Sequence, residues 1–117
     1  RPSLILAYSH CIAHGIDMRK GLDQQYLAVN SGHWPLMRFN PVLREANKNP
    51  FLLDSPRPRV PLRDYHKNEL RFRMLANTHP DEAERMLQLG QDQVLRRFAE
   101  YEQLASSDAN MFAQGAR

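Results

Sequence analysis

The chain has one cysteine, Cys11, set between His10 and His14 and followed by Gly15. A thiolate in that company can do three kinds of chemistry. It can ligate an iron–sulfur cluster, share a zinc ion with imidazoles, or attack as a nucleophile beside a histidine base. Each needs more than this segment supplies. Tetrahedral zinc takes four ligands, and beyond Cys11, His10 and His14 the sequence offers only Asp17, a poor fourth. A cluster usually takes four cysteines, so this chain can contribute one. A nucleophilic cysteine needs an oxyanion hole and a group that orients its base, and no pattern marks either. Composition alone favours a buried structural thiol, because free cysteine is among the most buried residue types. No disulfide can form within the chain, and a lone thiol fits a reducing, cytoplasmic setting.

A second cluster of chemistry-bearing residues is basic. Arg57, Arg59, Arg63, Lys67, Arg71 and Arg73 face only Asp64 and Glu69, with Tyr65 and Phe72 interleaved. Such a patch can contact phosphates and stack bases. The spacing favours the plainer alternative, in which the aromatics lie on the apolar side of a helix and the charges form a solvated face. Nucleic acid is therefore an unlikely partner. No glycine-rich phosphate loop precedes a helix, and no carboxylate pair is placed for acid–base work. The 16 basic and 13 acidic residues leave a net charge of +3, a mild excess that bears on solubility rather than fold.

The elements that must position these residues suit one α/β unit. At 117 residues and 42% apolar content, the chain can bury only a modest core. Leu4-Ile5-Leu6-Ala7-Tyr8 is an unbroken apolar run, the pattern of a strand buried on both faces of a parallel sheet. A strand is expected over about 3–8, placing Cys11 just beyond its carboxyl end, where open sheets bind ligands. It lacks partners in this sequence. Together with the start at Arg1-Pro2-Ser3 rather than a methionine, that points to a piece of a longer chain. No apolar run approaches a membrane span of about 18 residues.

A loop over 9–21 leads to a helix at about 22–31, with Leu22, Tyr26 and Val29 at helical spacing and Gly32 at its end. A short strand is expected at about 36–39. Residues 40–61 form a Pro-rich extended connector anchored by Phe51, Leu52 and Leu53. A helix over about 62–76 sets Leu62, Tyr65, Glu69, Phe72 and Leu75 on one side. The last helix, about 79–105, begins with an apparent capping box at Thr78-His79-Pro80-Asp81. Its stripe runs Ala83, Leu87, Val94, Phe98, Tyr101, Ala105, with Gly90 permitting close packing. A flexible tail is expected over 106–117.

The segment from Pro2 to Ile16, with Cys11 inside it, resembles one near the C-terminus of pyruvate:ferredoxin and pyruvate:flavodoxin oxidoreductases. The likeness continues in Ala28-Val29-Asn30-Ser31-Gly32-His33-Trp34-Pro35-Leu36 and Arg38-Phe39-Asn40-Pro41. It returns in Lys48-Asn49-Pro50-Phe51, Leu53-Asp54-Ser55 and Asn68-Glu69-Leu70-Arg71-Phe72. These blocks, in order, cover residues 2–105.

The resemblance implies much that spacing does not. The family oxidises pyruvate with coenzyme A to acetyl-CoA and carbon dioxide, using thiamine diphosphate and 4Fe–4S clusters, and some members serve nitrogen fixation. Electrons pass to ferredoxin or flavodoxin, and the enzyme is a homodimer. Cys11 matches the position of one cluster ligand, which reverses the compositional reading; the other three cysteines lie upstream. The resemblance also implies a division of the chain. Residues 1–39 would end the thiamine-diphosphate-binding α/β domain, 40–61 would connect, and 62–105 would form a C-terminal helical pair. The isolated chain is then expected to bind no cofactor and to be inactive. The rival expectation is a helical interaction module that docks the stripe of the last helix on a partner.

Overall fold

A computed structural model describes residues 2–108. The first regular element follows two short 3-10 turns, Ile12–His14 and Met18–Lys20. Asp17 caps the second turn, its side chain accepting from the Arg19 amide at 3.1 Å. Helix α1 runs Gly21–Asn30. Gly32 turns the chain out of it at φ 80°, its N–H reaching the Val29 carbonyl at 3.1 Å. Only glycine suits this position. The backbone is left-handed, and a Cβ would stand 2.6 Å from Val94 Cγ1 and 2.9 Å from Pro58 Cγ.

Strand β1 (Met37–Phe39) pairs antiparallel with β2 (Phe51–Leu53) in the register Met37↔Leu53, Arg38↔Leu52, Phe39↔Phe51. The connector between them is not merely extended. It holds a 3-10 segment, Pro41–Ala46, capped by Asn40 and closed by Asn47 in the left-handed region at φ 55°. Ser55 Oγ accepts from the Leu36 amide, and Arg38 grips Asp54 through both carboxylate oxygens, which fastens the open end of the ribbon.

Three helices complete the described residues: α2 (Leu62–His66), α3 (Leu70–Thr78) and α4 (Pro80–Ser106). Helix α4 has 27 residues, about 40 Å of helix. It packs on α3 and α2 near its start and on β2 further along. Gly90 admits Leu62, whose Cδ2 would lie 3.1 Å from an added Cβ. The core is small: Ala28, Leu62, Tyr65 and Val94, with Tyr8, Leu27, Trp34, Phe72 and Leu87 packed around them. Asn49 Nδ2 donates to the carbonyls of Leu104 and Ala105 at 2.9 and 3.1 Å, satisfying acceptors that a helix end leaves open.

Four expectations need correction. The run over 3–8 is not a buried strand among the described residues. It has no ladder partner, and Leu4, Ile5 and Leu6 are 83%, 86% and 75% exposed; a strand exists only through its neighbours. The helix expected over 62–76 is two helices, broken where Glu69 becomes extended (φ −119°, ψ 127°). The capping box does not form. Thr78 ends α3 and donates back to the Met74 carbonyl at 2.8 Å, while Pro80 takes the first turn of α4. On α1, Leu22 and Tyr26 are exposed, and Gln24 and Ala28 face inward instead. The expected tail begins at Ser106, the last residue of α4; positions 109–117 lie outside the described residues.

Candidate functional site

Cys11 is a free thiol, exposed among the described residues. Its backbone is extended (φ −143°, ψ 140°) and caps the turn Ile12–His14, whose last amide bonds back to the Cys11 carbonyl at 3.0 Å. The loop around it is tightly seated. Gly15 is left-handed (φ 71°), and the Leu70 side chain fills the space a Cβ would need. The His10 ring occupies the same position over Gly21. The Leu70 amide donates to the Gly15 carbonyl at 3.0 Å. The Nδ1 atoms of His10 and His14 are buried without a hydrogen-bond partner among the described residues.

Beneath the loop lies a polar cluster. Tyr8 and Tyr65 share a hydroxyl–hydroxyl hydrogen bond of 2.6 Å, and Arg71 donates to Tyr8 Oη at 3.0 Å. Glu69, 1% exposed, accepts from Arg71 Nε and from Gln24 Nε2, each at 2.6 Å. Gln24 also donates to the Tyr65 carbonyl at 3.0 Å. His14 Nδ1 stands 3.7 Å from Glu69 Oε1. Burial pushes the Glu69 carboxyl up, but hydrogen bonds from Gln24, Tyr65 and Arg71 outweigh it and hold the group below its ordinary value. Burial, with its hydrogen bonds to Tyr8 and Glu69, raises the Tyr65 phenol well above the usual range.

Two further histidines lie at this cluster. His33 stacks on Tyr65 at 4.4 Å, and His66 stacks on Phe72 at 3.8 Å. Burial lowers both, with Arg71 adding to the effect and Glu69 opposing it; His66, which also faces His33, falls to about 4. The consequence for stability has a definite sign. Between pH 6.5 and about 4 the unfolded chain binds a proton at His66 that the folded chain does not. Stability is full above the unfolded value and declines as pH drops through this window. Allowing for a ring that is only half buried, the decline is about 1–2 kcal/mol. Thermal melts from pH 7.5 to 4.5 check this: His66→Phe keeps the stack and should flatten the slope, and an unchanged slope rules the mechanism out.

The other candidate sites do not assemble. No group of three or more His, Cys, Asp or Glu side chains able to hold a metal ion forms among the described residues. The zinc arrangement of Cys11, His10, His14 and Asp17 is therefore not built here, and no histidine is hydrogen-bonded to the thiol among those residues. In the basic stretch Arg57 pairs with Glu102, Arg63 with Glu84, Lys67 with Asp64 and Arg71 with Glu69. Tyr65 is buried in the core, so no stacking platform is offered to bases. In the stripe of α4, Val94 and Phe98 are buried and Ala83, Leu87, Tyr101 and Ala105 half-buried, so that face is not free to dock a partner. No helix among the described residues is long and apolar enough to cross a membrane.

The cluster of Tyr8, Gln24, Tyr65, Glu69 and Arg71 was not anticipated as a unit. One signal was present: Glu69 interrupts the apolar side of the stretch from Leu62 to Leu75, and a carboxylate on such a side must find donors.

No protein-family model matches the chain. Curated relatives do match, among them oxidoreductases much longer than this chain. A pyruvate-flavodoxin oxidoreductase of Rhodospirillum rubrum is 47% identical over 105 residues, 89% of this chain and 9% of the relative. One of Nostoc sp. is 46% identical over 105 residues, 90% of this chain and 9% of the relative. A pyruvate:ferredoxin oxidoreductase of Moorella thermoacetica is 39% identical over 104 residues, 89% of this chain and 9% of the relative. The chain spans about 9% of the length of these relatives. It is thus homologous to a segment of the pyruvate-flavodoxin and pyruvate:ferredoxin oxidoreductases, as its residue blocks led us to expect.

Proposed function

We propose that the chain works as a segment of a pyruvate:ferredoxin or pyruvate:flavodoxin oxidoreductase, and that Cys11 is one thiolate ligand of a 4Fe–4S cluster in it. The observation that carries this reading is the exposed thiol on a loop that a glycine turn and a buried polar cluster hold in place. A structural cysteine gains nothing from such a display. The fit is to one ligand only; three more cysteines must come from elsewhere in the protein. When bound, such a cluster supplies one-electron transfer. Thiamine diphosphate, pyruvate and coenzyme A would be held by other parts of the enzyme.

In this reading residues 1–39 end the thiamine-diphosphate-binding domain, 40–61 connect, and 62–105 form the helical closure. The exposed Leu4, Ile5 and Leu6, with Leu22 and Tyr26 of α1, are covered by the remainder of that domain. Burial of such side chains contributes about 1.5–3 kcal/mol each. The whole enzyme is a cytoplasmic homodimer that passes electrons to ferredoxin or flavodoxin, and the isolated segment is inactive.

Cys11→Ser in the full-length oxidoreductase tests the reading. The variant is expected to lose about 4 iron atoms per chain, together with one component of its reduced EPR spectrum. Pyruvate-dependent acceptor reduction should fall by more than the about 10–100-fold that follows loss of an outer partner of a metal site. Unchanged iron and an unchanged spectrum would exclude Cys11 as a ligand.

A further inference from the structure

The Cys11 loop is tied down on both sides of the cysteine by the same short stretch of chain. Before the cysteine, Tyr8 Oη meets Tyr65 Oη at 2.6 Å and accepts from Arg71 at 3.0 Å. The Tyr8 ring also stacks on Trp34 at 5.2 Å. After the cysteine, the Gly15 carbonyl accepts from the Leu70 amide at 3.0 Å, and His14 lies 3.7 Å from Glu69. The second tether depends on the break between α2 and α3. In an unbroken helix the Leu70 N–H would be spent on the carbonyl four residues earlier, that of His66. Because the chain is extended at Glu69, that amide is released toward Gly15. The same break turns Glu69 into the interior, where Gln24 of α1 and Arg71 hold it from two sides.

We propose that Tyr65, Glu69, Leu70 and Arg71 form a clamp that positions the Cys11 loop, so that these residues fix the geometry at which the thiolate meets its cluster. The inference rests on the reading of Cys11 as a ligand and deepens it. The clamp residues do not touch the cluster; they act through Tyr8 and Gly15. A packing role alone would predict a change in stability. A positioning role predicts a change in the spectrum and midpoint potential of a cluster that is still fully loaded.

The experiment uses the full-length, cluster-loaded oxidoreductase with Tyr8→Phe, Tyr65→Phe, the double variant and, as reference, Cys11→Ser. Both phenylalanine variants keep the ring and remove one hydroxyl. The expected result is unchanged iron content with shifted g-values and a shifted midpoint potential in each. The double variant should fall short of the sum of the single variants, because the two hydroxyls share one contact while each also accepts from Arg71. Amide exchange over 8–15 should quicken by about fivefold, the equivalent of one hydrogen bond. If Cys11→Ser removes the signal while both phenylalanine variants match the parent in spectrum, potential and exchange, the clamp is refuted and the ligand reading survives. If Cys11→Ser leaves the signal intact, the ligand reading fails and takes the clamp with it. Tyr8 is only half-buried, so Tyr8→Phe decides the matter even where Tyr65→Phe lowers yield.

Discussion

Tyr65→Ala should destabilise the folded chain by about 3–5 kcal/mol, the range for emptying a fully buried aromatic site. Tyr65 is 0% exposed and packs in one buried cluster with Ala28, Leu62 and Val94. Its ring stacks on His33, lies 6.1 Å from Phe72, and carries the hydroxyl that Tyr8 and Arg71 share. Small domains hold about 5–15 kcal/mol in total, so this loss is a large share of the stability available. Tyr65→Phe separates the two contributions. It keeps the packing and gives up one hydrogen bond, about 1 kcal/mol. Urea denaturation followed by far-ultraviolet circular dichroism measures both. If Tyr65→Ala loses less than Tyr65→Phe is expected to lose, the core has been assigned to the wrong residues.

Glu69→Ala carries the second largest effect, about 2–3 kcal/mol. Removing one partner of a fully buried ion pair costs about 3–5 kcal/mol, but the Arg71 side chain is 35% exposed and recovers part of its hydration. Gln24 recovers none: its amide would lose Glu69 Oε2 and retain only the Tyr65 carbonyl. The effect has a pH signature. The folded carboxyl is held below its ordinary value, so its contribution is full above pH 4.5 and vanishes as pH falls through the folded value. The gap between parent and Glu69→Ala should therefore be widest near neutrality and narrow as pH falls below 4.5. A gap that stays constant with pH would show that packing, not charge, accounts for it.

The parts of this fold that could be read in the sequence are those governed by local rules. The stripe from Ala83 to Ala105, spaced in steps of three, four and seven, marked α4 nearly to its ends. Gly32 marked the exit from α1, and the short strand near 37–39 followed from its prolines and alternation. The misread parts depend on distant partners. Between Leu62 and Leu75 the weaker helix formers, Asp64 and Asn68 among them, are not breakers of the order of Gly or Pro; Glu69, extended at the break, takes its donors from Gln24, 45 residues away, and from Arg71. Leu22 and Tyr26 have helical spacing but face outward, because Gln24 finds two acceptors on the opposite side. The run from Leu4 to Tyr8 has the pattern of a buried strand, and pattern cannot supply the neighbour that makes one. Cys11 and the loop over 9–21 that carries it were visible, whereas the anchors of that loop were not, since both lie more than 50 residues downstream.

That last distance has a consequence for biosynthesis. Tyr8 leaves the ribosome 57 residues ahead of Tyr65 and 63 ahead of Arg71. At about 5–20 residues per second, the interval is roughly 3–13 s. Throughout it the nascent chain carries an exposed thiol on an untethered segment. Any agent that loads or oxidises Cys11 before α3 is made would act on a loop without its final shape. With Cys11 in its proposed ligand role, faithful maturation favours cluster insertion late in translation or after release.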